Sequence, residues 1–175
     1  MDLLKLESER ISLVCFPGRL FASNVYLMAV DDRAVAVDGG MPWTANRVLD
    51  FLNKNRLRLE YILLTHSHFD HVMGVKRLKE RTEAKIVAHT RSRWGDVKVD
   101  DGDVVKAIDS ELRFLVEYTG EHKIDHVWYY EINSKALFIG DHLPTMKALS
   151  DLRQRRGAEP KILLPGHGRP TPRAR

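Results

Sequence analysis

Four metal-ligand side chains lie within six residues of this chain, in the pattern His66-x-His68-x-Asp70-His71. The pattern follows directly on a short apolar run at residues 61–64, which predicts a strand buried on both faces. Residues two apart on an extended chain point the same way, so His66 and His68 can bind one ion. Where the chain turns into a helix, Asp70 and His71 face another side, and one loop can serve two adjacent ions. An exposed polar loop is the alternative interpretation, and this spacing of ligand types disfavours it.

Three further candidate ligands, His122, Asp141 and His167, each follow a predicted apolar strand. Strand ends meet along one edge of a sheet, and ligands bind along such edges. With the first four residues they make a set of five histidines and two aspartates. That set exceeds the four ligands of one tetrahedral ion, so it favours two ions that share a bridging carboxylate.

Strand and helix patterns alternate along the chain without an internal repeat or a Pro/Gly/Ser-rich linker. Three amphipathic patterns predict helices, which begin near Pro42, contain Val72, Val75 and Leu78, and cover residues 145–156. This order predicts an α/β sandwich in which sheet packs on sheet and helices lie outside. We expect one domain over residues 1–175. The predicted strands are 11–16, 24–30, 34–37, 61–64, 85–88, 104–108, 112–118, 127–132, 136–139 and 162–164.

Composition narrows the class of protein. Apolar residues make up 43% and charged residues 30%, as in a globular and not a disordered chain. The apolar runs are too short to span a bilayer, so no membrane partner is expected. Glu7 and Glu9 stand where a secretory signal would be basic or apolar, and we expect a cytoplasmic protein. The single cysteine, Cys15, forms no internal disulfide, which leaves a metal site to histidines and carboxylates.

The net charge of +4 is concentrated at the C-terminal end of the sequence. Residues 153–175 contain seven basic residues and one acidic residue. A solvated surface is the favoured interpretation of such a segment, and contact with nucleic acid is the alternative. We therefore expect a small-molecule partner, with an anionic substrate as one option, and keep nucleic acid as the disfavoured alternative.

The sequence resembles the metallo-β-lactamase-fold hydrolase superfamily, in its glyoxalase II-like branch, from Asn24 to Gly168. The residues that carry the resemblance are Asp38 at a strand end, the segment 66–71, His122 in Thr-Gly-Glu-His, Asp141 in Ile-Gly-Asp and His167 in Pro-Gly-His-Gly.

This resemblance implies a four-layer αββα sandwich of two mixed β-sheets with outer helices. It also implies two metal ions, with zinc as the expected metal and iron or manganese as alternatives. Asp38 would orient a ligand without binding metal itself. The implied ligands are His66, His68 and His122 for the first ion, Asp70, His71 and His167 for the second, and Asp141 for both.

Departures from the family pattern narrow the reaction. Zinc β-lactamases generally lack a carboxylate at the position of Asp141, which argues against β-lactam hydrolysis. The flavodiiron branch carries a glutamate at the position of His68 and is disfavoured. Lys-Ile-Asp-His follows His122, whereas the glyoxalase-like pattern has Thr-x-Gly-His. Seven residues follow Gly168, where glyoxalase II relatives add a helical region, so we expect a compact member with an open cleft of modest selectivity.

These features predict a metal-dependent hydrolase in which hydroxide on two zinc ions cleaves a small ester, thioester or lactone. Asp70 is expected to be a ligand and the proton acceptor, and His142, beside Asp141, is a candidate substrate contact. Three alternatives stay open at this point. They are phosphodiester hydrolysis on nucleic acid, persulfide dioxygenation with a single iron, and a non-catalytic module that binds a metal or a partner.

Overall fold

A computed structural model describes residues 1–4, 6, 10–19 and 21–172. Glu7 and Glu9 of the acidic N-terminal stretch, and Arg173 and Arg175 of the basic end, lie outside the described residues. The described strands are β1 (Asp2–Leu4), β2 (Ser12–Phe16), β3 (Val25–Val30), β4 (Arg33–Val37), β5 (Arg58–Leu63), β6 (Lys85–His89), β7 (Val97–Val99), β8 (Val104–Ala107), β9 (Leu112–Tyr118), β10 (Val127–Glu131), β11 (Ala136–Gly140), β12 (Ile162–Pro165) and β13 (Thr171–Pro172). The described helices are α1 (Pro42–Asn55), α2 (Phe69–Val72), α3 (Val75–Thr82) and α4 (Met146–Arg156).

The strands form two mixed sheets. The first sheet has the order β1-β2-β3-β4-β5-β6-β7 and is antiparallel from β1 to β4 and parallel from β4 to β7. The second sheet has the order β13-β12-β11-β10-β9-β8, in which β11 and β12 are parallel and the other neighbours antiparallel. Val37 pairs with Leu63 between β4 and β5, so these two strands end side by side.

Buried side chains fill the space between the two sheets. Met28 and Leu63 from the first sheet belong to one apolar cluster with Phe114, Tyr129 and Phe138 from the second. Their almost complete removal from water supplies the main driving force for packing the sheets together.

The helices cover the outer faces. Val48 of α1 and Leu78 of α3 pack in a cluster with residues of the first sheet, such as Ile62. Leu149 and Leu152 of α4 pack against the second sheet. The layers therefore run helix, sheet, sheet, helix, and the predicted αββα sandwich of two mixed sheets is confirmed.

The second predicted helix is divided in two by Gly74. The amide of Gly74 donates to the carbonyl of Gly40 at 2.7 Å, and a Cβ on Gly74 would meet the carbonyl oxygen of Gly39 at 2.2 Å. This close approach of two backbone segments ends α2 and restarts the chain as α3.

Three short strands, β1, β7 and β13, were not expected from the sequence. They lie at edges of the sheets, where two or three residues are too few to show an alternating apolar pattern. The expectation of one domain over residues 1–175 stays a prediction. Among the described helices, none has the length and apolar character needed to cross a membrane.

Candidate metal centre

The candidate ligands come from the ends of strands in both sheets. The segment 65–71 follows β5 and lies beside Asp38, which follows the parallel strand β4. Asp141 and His167 follow the parallel pair β11 and β12 in the second sheet, and His122 follows β9. The amide of Val127, at the start of β10, donates to the carbonyl of Thr65 at 2.8 Å and joins the ligand-bearing edges of the two sheets. The topology thus brings the ligand loops of both sheets to one edge of the sandwich.

One group of candidate ligands consists of three imidazoles and a carboxylate. His68 Nδ1 lies 3.0 Å from His66 Nε2 and 2.9 Å from His122 Nε2. Asp141 Oδ2 lies 3.8 Å from His66 Nε2 and 3.5 Å from His122 Nε2. Nitrogen ligands about 2.0–2.1 Å from a zinc ion are themselves separated by roughly 3 Å, so these spacings fit a shared cation.

A second group lies on the other side of Asp141. Asp70 Oδ2 is 3.0 Å from His167 Nε2 and 3.7 Å from His71 Nε2. Asp141 Oδ1 lies 3.1 Å from His71 Nε2, and Asp141 Oδ2 lies 3.5 Å from His167 Nε2. Within each group the ligand atoms lie within 4.8 Å of one another. Asp141 therefore lies beside both groups, with Oδ2 near members of each and Oδ1 near His71.

The buried atoms His71 Nε2 and Asp141 Oδ1 lie 3.1 Å from each other, and no third group among the described residues forms a hydrogen bond to either. Buried polar atoms have partners in the great majority of cases, so a further partner is expected at this place. A divalent cation held between them would provide it, and the nitrogen and oxygen donors of both groups suit zinc, iron or manganese.

Asp38 orients His71 from behind. Its Oδ2 accepts from His71 Nδ1 at 2.8 Å, and it also accepts from the backbone amide and hydroxyl of Thr65. A carboxylate only accepts, so Nδ1 of His71 carries a proton, and Nε2 is the ring atom that faces the site and would bind a metal ion once its own proton has left. Asp38 itself has a positive φ of 62°, a conformation in which its side chain meets both loops.

Thr65 is a residue that the sequence analysis missed. Its hydroxyl donates to Asp38 and lies 3.1 Å from His66 Nδ1, from which it can accept. With Nδ1 as the donor to Thr65, the lone pair of His66 is on Nε2, which faces His68. The only sequence signal was a hydroxyl residue next to the first candidate ligand, which is too common a feature to assign.

The loop that carries His122 is held against the segment 66–68. Lys123 Nζ donates to the carbonyl of Ser67 at 3.0 Å, and Asp125 Oδ1 accepts from the amide of Ser67 at 3.4 Å. His122 has a φ of 60°, in the left-handed region. These two side chains stand in the stretch that departs from the glyoxalase-like pattern, and they join the loops that supply the first group.

Gly166 allows Asp141 to reach the site. A Cβ at Gly166 would lie 2.2 Å from Asp141 Oδ1 and 2.7 Å from Cε1 of His71. Any side chain there would displace the carboxylate that faces both groups.

Burial and neighbouring charges set different protonation states in the two groups. Burial lowers the pKa of His66 and of His68, so both rings are neutral at pH 7. Burial also acts to lower the pKa of His71, but the charges of Asp38 and Asp141 outweigh it and raise the pKa to about 10. Burial acts to raise the pKa of Asp141, yet its contact with His71 holds that pKa below the usual range.

The ring of His142, a candidate substrate contact, packs near Trp128 and His126. Its ring centroid is 5.6 Å from that of Trp128, whose Nε1 donates to the carbonyl of His142. The cavity of about 260 Å³ beside the ligands is lined by His122, Gly140, Asp141, Leu143, Pro165 and His167. The structure therefore places Leu143 at the cavity wall, and the role of His142 as a substrate contact stays a prediction.

Two other residues lie apart from the ligands. Cys15 is buried on β2, and burial raises the pKa of its thiol to about 11, which makes it a poor nucleophile. His89 Nε2 lies 3.2 Å from Asp100, and its ring stacks on Tyr118.

Comparison with known proteins agrees with this geometry. The family model of the metallo-beta-lactamase superfamily matches residues 18–167. The chain belongs to the metallo-beta-lactamase superfamily. Among curated relatives of this superfamily member, the hydroxyacylglutathione hydrolase of Francisella tularensis subsp. novicida (strain U112) is 36% identical over 121 residues, which are 67% of this chain and 46% of the relative. The hydroxyacylglutathione hydrolase of Bdellovibrio bacteriovorus is 35% identical over 142 residues, which are 77% of this chain and 53% of the relative.

The metallo-beta-lactamase superfamily chain spans about half the length of these curated relatives. Its fold also matches the crystal structure of the BLEG-1 B3 metallo-beta-lactamase with a TM-score of 0.77. That match covers 91% of this chain and 93% of the other at 21% identity, so it concerns the fold alone. The resemblance stated from the sequence, to this superfamily and to its glyoxalase II-like branch, is confirmed.

Proposed function

We propose that this protein is a metal-dependent hydrolase with two zinc ions, and that it cleaves a small ester, thioester or lactone. The observation that carries the proposal is the arrangement of seven ligand side chains in two groups, with Asp141 beside both. The first zinc would be held by His66, His68 and His122, and the second by Asp70, His71 and His167. Metal ions paired in this way polarise a carbonyl oxygen and lower the pKa of a shared water.

The protein's own residues would prepare the site for that chemistry. Asp38 holds Nδ1 of His71, and Thr65 is within hydrogen-bond distance of Nδ1 of His66, so both Nε2 atoms point inward. Asp70 is almost fully buried, and its Oδ2 lies 3.0 Å from His167. We assign Asp70 as a ligand whose second oxygen accepts the proton that the attacking water loses.

The name of the curated relatives supports the thioester as one substrate class. Hydroxyacylglutathione hydrolases are 35–36% identical to this chain over the matched part. Hydrolysis of an acyl bond needs no serine or cysteine nucleophile when water is the attacking group, and Cys15 is buried away from the ligands. A cytoplasmic location stays part of the proposal.

Phosphodiester hydrolysis on nucleic acid is less well supported. It rests on the basic residues around 153–156 and 169–175, and acidic side chains of the same chain engage those of α4. Arg153 pairs with Glu159, while Arg155 and Arg156 both contact Glu117. Paired charges attract phosphate less strongly than free ones.

The test is a turnover panel with zinc-loaded protein. The panel contains nitrophenyl esters, acyl thioesters, a lactone and bis(nitrophenyl) phosphate, with metal-free protein as the control. We expect hydrolysis of an ester, thioester or lactone that disappears when zinc is removed. Turnover of the phosphodiester alone would instead support the nuclease-like reaction. One iron per chain, with oxygen consumed, would support the dioxygenase reaction.

A further inference from the structure

Large, exposed apolar side chains stand next to the candidate ligands in sequence. Phe69 lies between two ligands in sequence, Ile124 is two residues after His122, and Leu143 is two residues after Asp141. These side chains are 60%, 62% and 71% exposed, respectively. Isolated exposed apolar residues are ordinary, but apolar side chains grouped around a concave site indicate a surface for a ligand.

A fourth side chain, Phe21, belongs to the loop between β2 and β3 and is 85% exposed. That loop is anchored to the second ligand group. Ser23 Oγ donates to the carbonyl of Asp70 at 2.8 Å, and the amide of Asn24 donates to the carbonyl of Gly166 at 2.6 Å. These contacts hold the end of the loop, two and three residues after Phe21, against Asp70 and Gly166. We call Phe21, Phe69, Ile124 and Leu143 the apolar rim.

Leu143 connects the rim to the ligands. It lines the cavity of about 260 Å³ together with His122, Asp141 and His167. A molecule whose reacting group lies at the ligands would therefore extend along Leu143 towards solvent. Hydrocarbon in that position would cover apolar surface that is otherwise in contact with water.

The nearest cation in sequence to the rim is engaged elsewhere. Lys123 precedes Ile124, and its ammonium group donates to the carbonyl of Ser67 at 3.0 Å. This contact joins two ligand loops, so the ammonium group of Lys123 is not positioned to bind a carboxylate at the end of a substrate. The surroundings of Ile124 thus favour an uncharged group.

We propose that the apolar rim binds the hydrocarbon chain of the acyl group, and that the substrates are esters or thioesters of straight-chain fatty acids. This inference rests on the proposed hydrolase function and adds the substrate class. In the reaction, water adds its oxygen to the acyl carbon and the C–O or C–S bond breaks. The fatty acid forms, and the alcohol or thiol leaves with a proton.

Acyl chain length is the direct test. Zinc-loaded protein is assayed with the p-nitrophenyl esters of acetate, butanoate, hexanoate and octanoate. Each buried methylene contributes enough free energy for kcat/KM to rise by about two- to fourfold per methylene. A kcat/KM that is equal for acetate and octanoate would overturn the inference.

Variants of the apolar rim test whether the preference for long acyl chains depends on these side chains and not on exposed apolar residues elsewhere. Leu143→Ser and Ile124→Ser should each lower the octanoate-to-acetate ratio of kcat/KM by about five- to tenfold. Leu3→Ser is the matched control, because Leu3 is equally exposed but lies on the edge strand β1. The control should keep the wild-type ratio. A ratio that falls in Leu3→Ser, or stays constant in both rim variants, would contradict the assignment.

Binding of the free carboxylic acids tests the apolar rim independently of hydrolysis. Isothermal titration calorimetry of zinc-loaded protein should show octanoate binding at least about tenfold more tightly than acetate, with the difference reduced in Leu143→Ser. If no ester is hydrolysed but this difference in affinity is present, the proposed hydrolase function is wrong and the assignment of the apolar rim as an acyl-chain binding surface is retained. Equal affinities for octanoate and acetate would exclude the rim whether or not esters are hydrolysed.

Discussion

Zinc binding at the second ligand group should release a proton from His71. In the metal-free protein the pKa of this ring is raised to about 10, because Asp38 and Asp141 lie at its two nitrogens. At pH 8 it therefore carries a proton on both nitrogens, whereas an ordinary histidine with a pKa of about 6.5 has lost one. A metal ligand must offer a lone pair, so zinc must displace the proton on Nε2.

The size of the effect follows from this pKa. At pH 8 close to one proton should leave for each zinc bound at the second group. The apparent association constant of that zinc should fall about tenfold from pH 8 to pH 7, since His71 titrates well above this range. The first group should release no proton from His66 or His68, whose pKa values are lowered by burial.

Isothermal titration calorimetry in buffers of different ionisation enthalpy measures the number of protons released. Asp38→Asn is the matched variant, because it keeps the size of the side chain and removes the charge that does most to raise the pKa of His71. We expect the proton release to be smaller in this variant than in the wild-type protein. Zinc binding at pH 8 without proton release, or with the same release in both proteins, would refute the reasoning.

Four further outcomes are expected. His68→Ala should abolish zinc binding at the first group and hydrolysis together, as measured by zinc content and turnover, and full activity in this variant would contradict its assignment as a ligand. Asp125→Ala should weaken the first zinc by about 10–100-fold in chelator competition and leave the second unchanged, because only the loops of the first group are joined through Ser67. Phe138→Ala should cost about 3–5 kcal/mol in the free energy of unfolding, measured with urea, because its ring is buried between the sheets. The metal-free protein should lose stability as the pH rises from 7 to 10. The raised pKa of His71 provides stabilisation that is complete below about 6.5 and disappears as the pH passes about 10, and a melting temperature that stays constant over that range would argue against it.

The larger features of the fold could be predicted because they depend on apolar patterns. The strands β2 to β6 and β8 to β12 each contain enough buried residues to be recognised, and α4 begins one residue after the expected Thr145. Thr145 accepts from the amide of Ala148, which is the usual role of a threonine at that position. The division of α2 from α3 could not be predicted, since it depends on Gly74 meeting a backbone segment some 35 residues earlier in the chain.

The candidate ligands could be identified because metal binding requires a few residue types at strand ends. The contacts that support these ligands could not be predicted from the sequence. Thr65, Ser23 and Asp125 are polar residues of common types, and their roles depend on which loops the two sheets bring together. The position of Leu143 at the cavity wall depends on how the chain turns after Asp141. No sequence pattern specifies that turn.

Anomalous diffraction at the zinc absorption edge, from crystals grown with zinc, tests the central claim most directly. Two peaks should appear, one among His66, His68 and His122 and the other among Asp70, His71 and His167, with Asp141 between them. A single peak, or zinc bound only outside these two groups, would contradict the account.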